Sequence, residues 1–398
     1  MTLTRRTLLT AAMLSPAAAL AGTPGWDATL AAARGRTVYF NAWGGDDATN
    51  TFISWAGERV KTDFGVTVRH VRLADTGDAV ARIVAERTAG RTNGGSVDLL
   101  WVNGPNFLAL KQAGLLRRGV LDRLPNAVAV DTAKPTRVDF TIPTDGDEVP
   151  WRMAKLVFVH DCVRLPDPPR SLNRMAEWAG AHPGRLAHPT ATNFLGATFL
   201  KQALIGLAPD RAPLALPPTE ASYAAATAPL FAWYDVVRPS LWRGGKDFPA
   251  DGGACTALLN DGEIDLTLSF DPAEAALGIA HGTLPSTARA YVLDGGTIGN
   301  CSFMAIPYDA ASPEAAMVLA NFLLGPEAQG RAADPRVLGS PMVLDVNKID
   351  DATERNRLKS LPMPLGTLTE AQLGPTLPEP HPAWMTRVAA DWQARVLR

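Results

Sequence analysis

The chain has 398 residues, with 38 Lys and Arg against 40 Asp and Glu for a formal charge of -2, and 46% of its residues are hydrophobic. At roughly 100 to 200 residues per domain, this length predicts two domains with sizeable cores. The balanced charge, with no basic run beyond the first few residues, argues against nucleic acid and anionic membrane as partners.

The amino terminus reads as an export leader. Thr4-Arg5-Arg6-Thr7-Leu8-Leu9 leads into an Ala/Leu-rich run ending Ala19-Leu20-Ala21-Gly22. The run is too short to anchor in a bilayer, and the small side chains at 19 and 21 suit signal peptidase, placing cleavage near Ala21. Adjacent arginines followed by Leu8-Leu9 fit a twin-arginine leader, which exports folded proteins, with general secretion as the alternative. No Cys lies near the cut, so a lipid anchor there is not expected. No later apolar stretch approaches transmembrane length, and the mature product is expected free in the periplasm. Cys162, Cys255 and Cys301 are too few and too scattered for a disulfide framework or zinc cluster. One disulfide is allowed, and one thiol must stay unpaired.

Along the chain, apolar runs rich in Val, Leu and Phe alternate with helical patterns, the signature of an α/β protein with mostly parallel sheets flanked by helices. Thr37 to Phe40 reads as a first strand stopping at Asn41-Ala42-Trp43-Gly44-Gly45. Residues 49 to 64 then carry helix-spaced Phe52, Trp55, Val60 and Phe64, with Gly65 as the stop. Strand, helix, strand and helix follow at 66–73, 79–88, 97–102 and 107–114. In such sheets ligands gather beyond the carboxyl ends of the strands, here Trp43-Gly44-Gly45-Asp46 and Asn103-Gly104-Pro105-Asn106.

Residues 150–160 and 296–306 are apolar extended runs about 140 residues apart that read as two crossings between domains. Between them lie a helix through Met175 to Trp178, a strand near 185–188, a helix at 193–207, a strand at 265–270 and a helix opened by Pro272. After the second crossing, Ser312-Pro313-Glu314 starts a helix running to about Leu324. The assignment is a leader at 1–21, a first lobe from 22–150 and 297–398, and a second lobe at 151–296. The Pro-rich carboxyl-terminal stretch is expected to end in a helix around Trp384 to Val396 that clamps onto the first lobe.

Phe40-Asn41-Ala42-Trp43-Gly44-Gly45, Gly95 to Gly104, Val149-Pro150-Trp151 with Phe158-Val159-His160-Asp161, and Phe194-Leu195-Gly196 together resemble the periplasmic solute-binding proteins of ABC importers. The likeness is to the extracellular family 1 group and its YnjB-like branch, and covers nearly the whole mature chain. Ala305-Ile306-Pro307, Pro313 to Ala316 and Pro326 to Gln329 look like the general family's closing helical segment. The resemblance implies a two-lobed, type II Venus-flytrap fold holding a small solute and delivering it to an inner-membrane permease with an ATPase. It does not specify one ligand.

Enzyme motifs are missing: no Gly-x-Ser-x-Gly, His-Glu-x-x-His, Gly-rich phosphate loop or Cys-x-x-Cys occurs. A secreted two-domain hydrolase with an unrecognised carboxylate pair is the alternative reading. Asp145, Asp147 and Glu148, like Asp261-Gly262-Glu263, are read as turn chemistry. No catalytic residue, cofactor or metal ligand is assigned, and a monomer is expected. The six histidines lack ligand spacing, and the five tyrosines are never adjacent, which argues against ferric iron as the solute.

Candidate ligand groups follow from position. Trp43 stands beside Gly44 and Gly45 at a strand end, suited to a cleft wall rather than a core plug because a large aromatic there has few neighbours to bury against. Asn103 and Asn106 offer amides, or simply form a turn. Trp151 opens the first crossing, facing the cleft or supporting the hinge. Asn193 and Phe194 start a helix whose N–H groups could hold an anion, or Asn193 only caps it. Trp242 lies in a Gly-containing loop that folds over the cleft or covers the second lobe. Ser269 and Asp271 stand at another strand end, where Asp271 serves as a cap or faces a cation. Asn300, on the returning crossing, is placed at the cleft floor. Tryptophans with few nearby charges suit an organic cation, thiamine-like or polyamine-like, or a sugar, at roughly 0.5 to 2 kcal/mol per contact.

Overall fold

A computed structural model describes residues 25–397, so the expected leader and its cleavage point lie outside the described residues. After α1 (Trp26–Ala33), strand and helix alternate as β1 (Thr37–Trp43), α2 (Asp47–Phe64), β2 (Thr67–Leu73), α3 (Thr76–Thr88), β3 (Leu99–Val102) and α4 (Gly104–Gln112). Helix α2 shows the local logic. The N–H groups of Ala48 and Thr49 donate to the Asp46 carboxylate, Gly65 ends the helix at φ 71°, and Phe52, Ile53, Ala56 and Val60 form its buried stripe.

A short hairpin, β4 (Val138–Asp139) and β5 (Ile142–Pro143), precedes β6 (Glu148–Lys155) and β7 (Val157–Asp161). Next come α5 (Leu172–Ala181), α6 (Phe194–Leu207), α7 (Glu220–Val237), α8 (Gly252–Asn260), β8 (Leu266–Ser269), α9 (Glu274–His281) and β9 (Ala288–Tyr291). The chain then returns through β10 (Thr297–Ala305), α10 (Pro313–Leu324), α11 (Pro326–Ala333) and α12 (Ala352–Lys359). It ends with α13 (Glu370–Leu373), β11 (Thr376–Leu377) and α14 (Ala383–Val396). The expected strand near 185–188 amounts to single bridges from Leu186 to Leu241 and Leu266.

Two sheets organise the molecule. The larger has the order β11-β10-β3-β1-β2, with β6 also on β10; the smaller is β8-β7-β9. Strand β1 pairs parallel with β2 and β3, but β10 runs antiparallel to β3 and β6, and both pairings in the smaller sheet are antiparallel. The expectation of mostly parallel sheets is corrected accordingly: the larger sheet is mixed and the smaller one antiparallel. The reason is the path of the chain. Strands β6 and β10 are the outward and returning crossings, and β7 leaves the crossing while β8 and β9 come back to it.

Strand β6 remains in the larger sheet through Lys155, and β7, from Val157, joins the smaller one. Phe40, Phe52, Trp151, Phe303 and Leu319 fill the core around the larger sheet. Phe158, Phe199, Tyr234 and Leu266 fill that of the smaller one. The last helix is a second correction. Trp384, Val388, Trp392 and Val396 of α14 are buried in the second core, not the first. Their spacing of four residues forms one apolar stripe. Trp384 stacks on Tyr223 at 5.9 Å and donates its indole N–H to the Leu216 carbonyl at 2.9 Å, while Trp392 meets Phe248 edge-on at 5.0 Å. All three cysteines are unpaired.

Candidate functional site

The carboxyl ends of β1 and β8 approach one another across the seam between the two sheets, with β6 beside them. On the first side, Trp43 ends β1 and is 42% exposed. A Cβ on Gly45 would lie 2.5 Å from the Trp43 indole, so only glycine lets that ring lie against the backbone. Trp101 of β3 meets Trp43 edge-on at 6.5 Å and Trp151 at 4.9 Å, so three tryptophans lead from the seam into the core.

Trp151 itself is core. It is 1% exposed and packs on Phe40 and Phe52, with ring centroids 6.4 and 6.2 Å away. Side chains alternate along a strand, so the neighbour that reaches the seam is Arg152. Its guanidinium lies 5.7 Å from both the Trp101 and Trp151 rings, donates to Thr49 Oγ1 at 3.2 Å, and places Nη2 3.8 Å from Asp271 Oδ2. Arg152 therefore bridges the two halves. The cleft expectation for Trp151 is corrected to this adjacent residue.

The second half supplies an acidic wall. Asp271 Oδ1 accepts from the Ala273 N–H at 2.9 Å, leaving Oδ2 toward Arg152. Glu274, in the first turn of α9, accepts from Thr256 Oγ1 and Ser269 Oγ, both at 3.1 Å. Burial raises the Asp271 pKa; Arg152 and the Ala273 N–H oppose it, and the Asp46 charge across the seam adds to it. Burial likewise raises Glu274, followed by the charges of Asp271 and, more weakly, Asp46. Three carboxylates thus repel one another around one guanidinium, an arrangement that a positive charge relieves. Phe194, 52% exposed, meets Phe270 edge-on at 5.1 Å beside this wall.

Deeper along the hinge, Asn103 donates to the Cys301 carbonyl at 2.7 Å and to Asp139 Oδ1 at 3.3 Å, and the Gly104 N–H donates to Asp139 Oδ2 at 2.5 Å. Burial pushes the Asp139 carboxyl up to about 7 against these donors. Lys201 Nζ pairs with Glu379 Oε2 at 2.6 Å and lies 4.9 Å from the Phe140 ring and 5.2 Å from Phe194. Asn300 donates to the other Glu379 oxygen at 3.0 Å.

The expected residues therefore divide. Trp43, Gly44 and Gly45 stand at the end of β1 and Ser269 and Asp271 at the end of β8, while Asn103 bonds to Asp139 and the Cys301 carbonyl and Phe194 packs on Phe270. Asn193 is a cap, its Oδ1 accepting from the Leu195 N–H at 2.9 Å. Asn300 is 8% exposed and belongs to the buried Lys201–Glu379 cluster, which corrects its place at an open cleft floor. Asn106 is half-buried in the first turn of α4, without a side-chain bond to the other cleft groups. Trp242 is also corrected. Its indole N–H donates to Glu263, just before β8, so it sits at the opposite end of that strand from Asp271. Sequence reasoning placed Asp46 at a ligand-gathering strand end but missed Trp101, Phe140, Arg152, Lys201 and Glu274. A charge inside the apolar run 149–159 was a visible signal for Arg152. The others depend on contacts between distant segments.

Residues 55–357 match the family described as bacterial extracellular solute-binding protein. Protein YnjB of Escherichia coli (strain K12) is 44% identical over 370 residues, covering 93% of each chain. In fold, the chain is similar to the Tp0655 (TpPotD) lipoprotein of Treponema pallidum, with TM-score 0.67 at 16% identity over 91% of this chain and 100% of the other. It is also similar to the periplasmic binding protein AfuA of Actinobacillus pleuropneumoniae, whose structure holds fructose-6-phosphate. There the TM-score is 0.61 at 14% identity over 91% and 98% of the two chains. With the family model matching most of the chain and a relative 44% identical across it, the chain belongs to the bacterial extracellular solute-binding protein family.

Proposed function

We propose that the protein is exported by its amino-terminal leader, captures a small organic cation between its lobes in the periplasm, and hands it as a monomer to a permease and its ATPase without chemical turnover. The observation that carries the cationic reading is the group of acids at the seam, with Asp271 and its neighbour Glu274 on the second side and Asp46, three residues after the exposed Trp43, on the first. Burial raises Asp271 and Glu274, so these two carboxylates gain most from a cation, and an aromatic face adds roughly 0.5 to 2 kcal/mol for a quaternary or protonated nitrogen. Capture follows two-state logic: the solute shifts the open–closed equilibrium by its difference in affinity for the two forms.

A thermal-shift screen of the refolded, solute-free protein tests this, with thiamine, polyamines, quaternary amines, neutral sugars and simple anions. A solute at a hundredfold excess over its Kd stabilises by about 2.7 kcal/mol. Stabilisation by one cationic class, lost in Asp271→Asn, supports the reading. A response to neutral sugars alone, indifferent to that change, replaces it with sugar capture. Turnover abolished by one carboxylate change would reinstate the hydrolase.

A further inference from the structure

Arg152 is the least satisfied charge in the seam. It is 9% exposed and projects from a crossing strand, yet its guanidinium makes one hydrogen bond, to Thr49, and Nε has no partner. Among the described residues its only carboxylate neighbour within salt-bridge range, Asp271 Oδ2, is 3.8 Å away, beyond hydrogen-bonding distance. A guanidinium has five donors in a planar fork that matches carboxylate and phosphate bidentately. A charge buried at this depth is costly unless several of those donors are used. Its position is that of a recognition group: between Thr49 of the first half and Asp271 of the second, over the Trp101 and Trp151 rings.

Resting on the cationic reading above, we propose that the solute also bears an acid group, a carboxylate or phosphate, which the Arg152 fork holds while Asp271, Glu274 and Asp46 hold its cationic centre. The long Arg152–Asp271 pair is then an internal stand-in. The acid group of the solute takes Asp271's place at Arg152, and the cationic centre takes Arg152's place at Asp271. Each buried charge exchanges a distant partner for a close one. A cation without an acid group has to compete with Arg152 for Asp271 and leaves the fork open.

Calorimetric titration of the refolded protein with matched pairs tests this: putrescine against 4-aminobutyrate, agmatine against arginine, choline against phosphocholine, and thiamine against thiamine monophosphate. Acetate and inorganic phosphate are titrated separately by tryptophan fluorescence, since two indoles adjoin the guanidinium. In the pair that binds, the acid-bearing member is expected at least tenfold tighter. Arg152→Gln should erase that advantage while leaving the plain cation as tight as before or tighter, because Asp271 is released. Arg152→Lys, which keeps the charge and loses the fork, should retain only part of it and guards against a misfolded Gln variant. The proposal is overturned if the plain cation binds as well as its acid-bearing partner, if Arg152→Gln keeps the preference, or if no pair, acetate or phosphate saturates the cleft. Failure of the cationic reading looks different: a neutral sugar or pure anion binds and Asp271→Asn is harmless. Failure of the acid-group proposal leaves a plain cation bound through Asp271.

Discussion

Trp43 and Trp151 look interchangeable in the sequence, each an aromatic beside a strand end, yet their substitution by alanine should have opposite consequences. Trp151 is 1% exposed and touches three aromatic neighbours, with centroids at 4.9, 6.2 and 6.4 Å. Deleting a buried Trp removes its transfer free energy and leaves a cavity that Phe40, Phe52 and Trp101 cannot collapse into, a loss of about 3 to 5 kcal/mol. For a unit of this size, each kcal/mol moves Tm by roughly 2 to 4 °C, so Trp151→Ala should lower it by about 6 to 20 °C. Trp43, 42% exposed with one edge-on partner at 6.5 Å, should lose about 1 kcal/mol or less. Its change should instead weaken solute binding about tenfold, from lost stacking. Thermal melts with and without the solute from the screen, plus titration calorimetry, separate the two. If Trp151→Ala melts within 2 °C of the parent while its affinity collapses, the core assignment is wrong and Trp151 belongs to the cleft.

Other consequences are as direct. Glu379→Gln leaves the Lys201 ammonium, 2% exposed, without its counter-ion, and urea unfolding should show a loss of about 3 to 5 kcal/mol. Asp139, 1% exposed, has its carboxyl raised from 3.8 to about 7, so the folded state holds a proton that the unfolded state has released. Stability from this group is full below about pH 4 and falls as pH rises toward 7. Asp139→Asn should therefore flatten stability against pH, gaining about 2 to 4 kcal/mol at pH 8 relative to pH 4, and an unchanged slope would refute the assignment. Trp392→Ala, which empties the second core beside Phe248 and Tyr234, should cost about 3 to 5 kcal/mol and expose the 220–237 helix to proteolysis. Had α14 clamped onto the first lobe, protease sensitivity would rise around α1 and α10 instead.

The sequence by itself determined the alternation of strands and helices, because periodicity and stop signals are local. Gly65 as a helix end and Pro313 in a first turn are both written within a few residues of where they act. It also located the long strands of the middle chain, since β6 with β7, and β10, are its long apolar runs. Strand direction was beyond it: an apolar run does not record whether its partner runs up or down, so the antiparallel pairs of the crossings and the smaller sheet came only from the chain's path. The docking of α14 was also hidden, because one apolar stripe fits either core until the gap beside Tyr223 and Phe248 exists. The cleft was half legible. Trp43, Ser269 and Asp271 stand at strand ends that pattern alone could find. The choice of Arg152 over Trp151 turns on which side of one strand faces the seam. Asp271 and Glu274 are neighbours in sequence, but Asp46 is more than two hundred residues from both, and only folding brings its charge to bear on them.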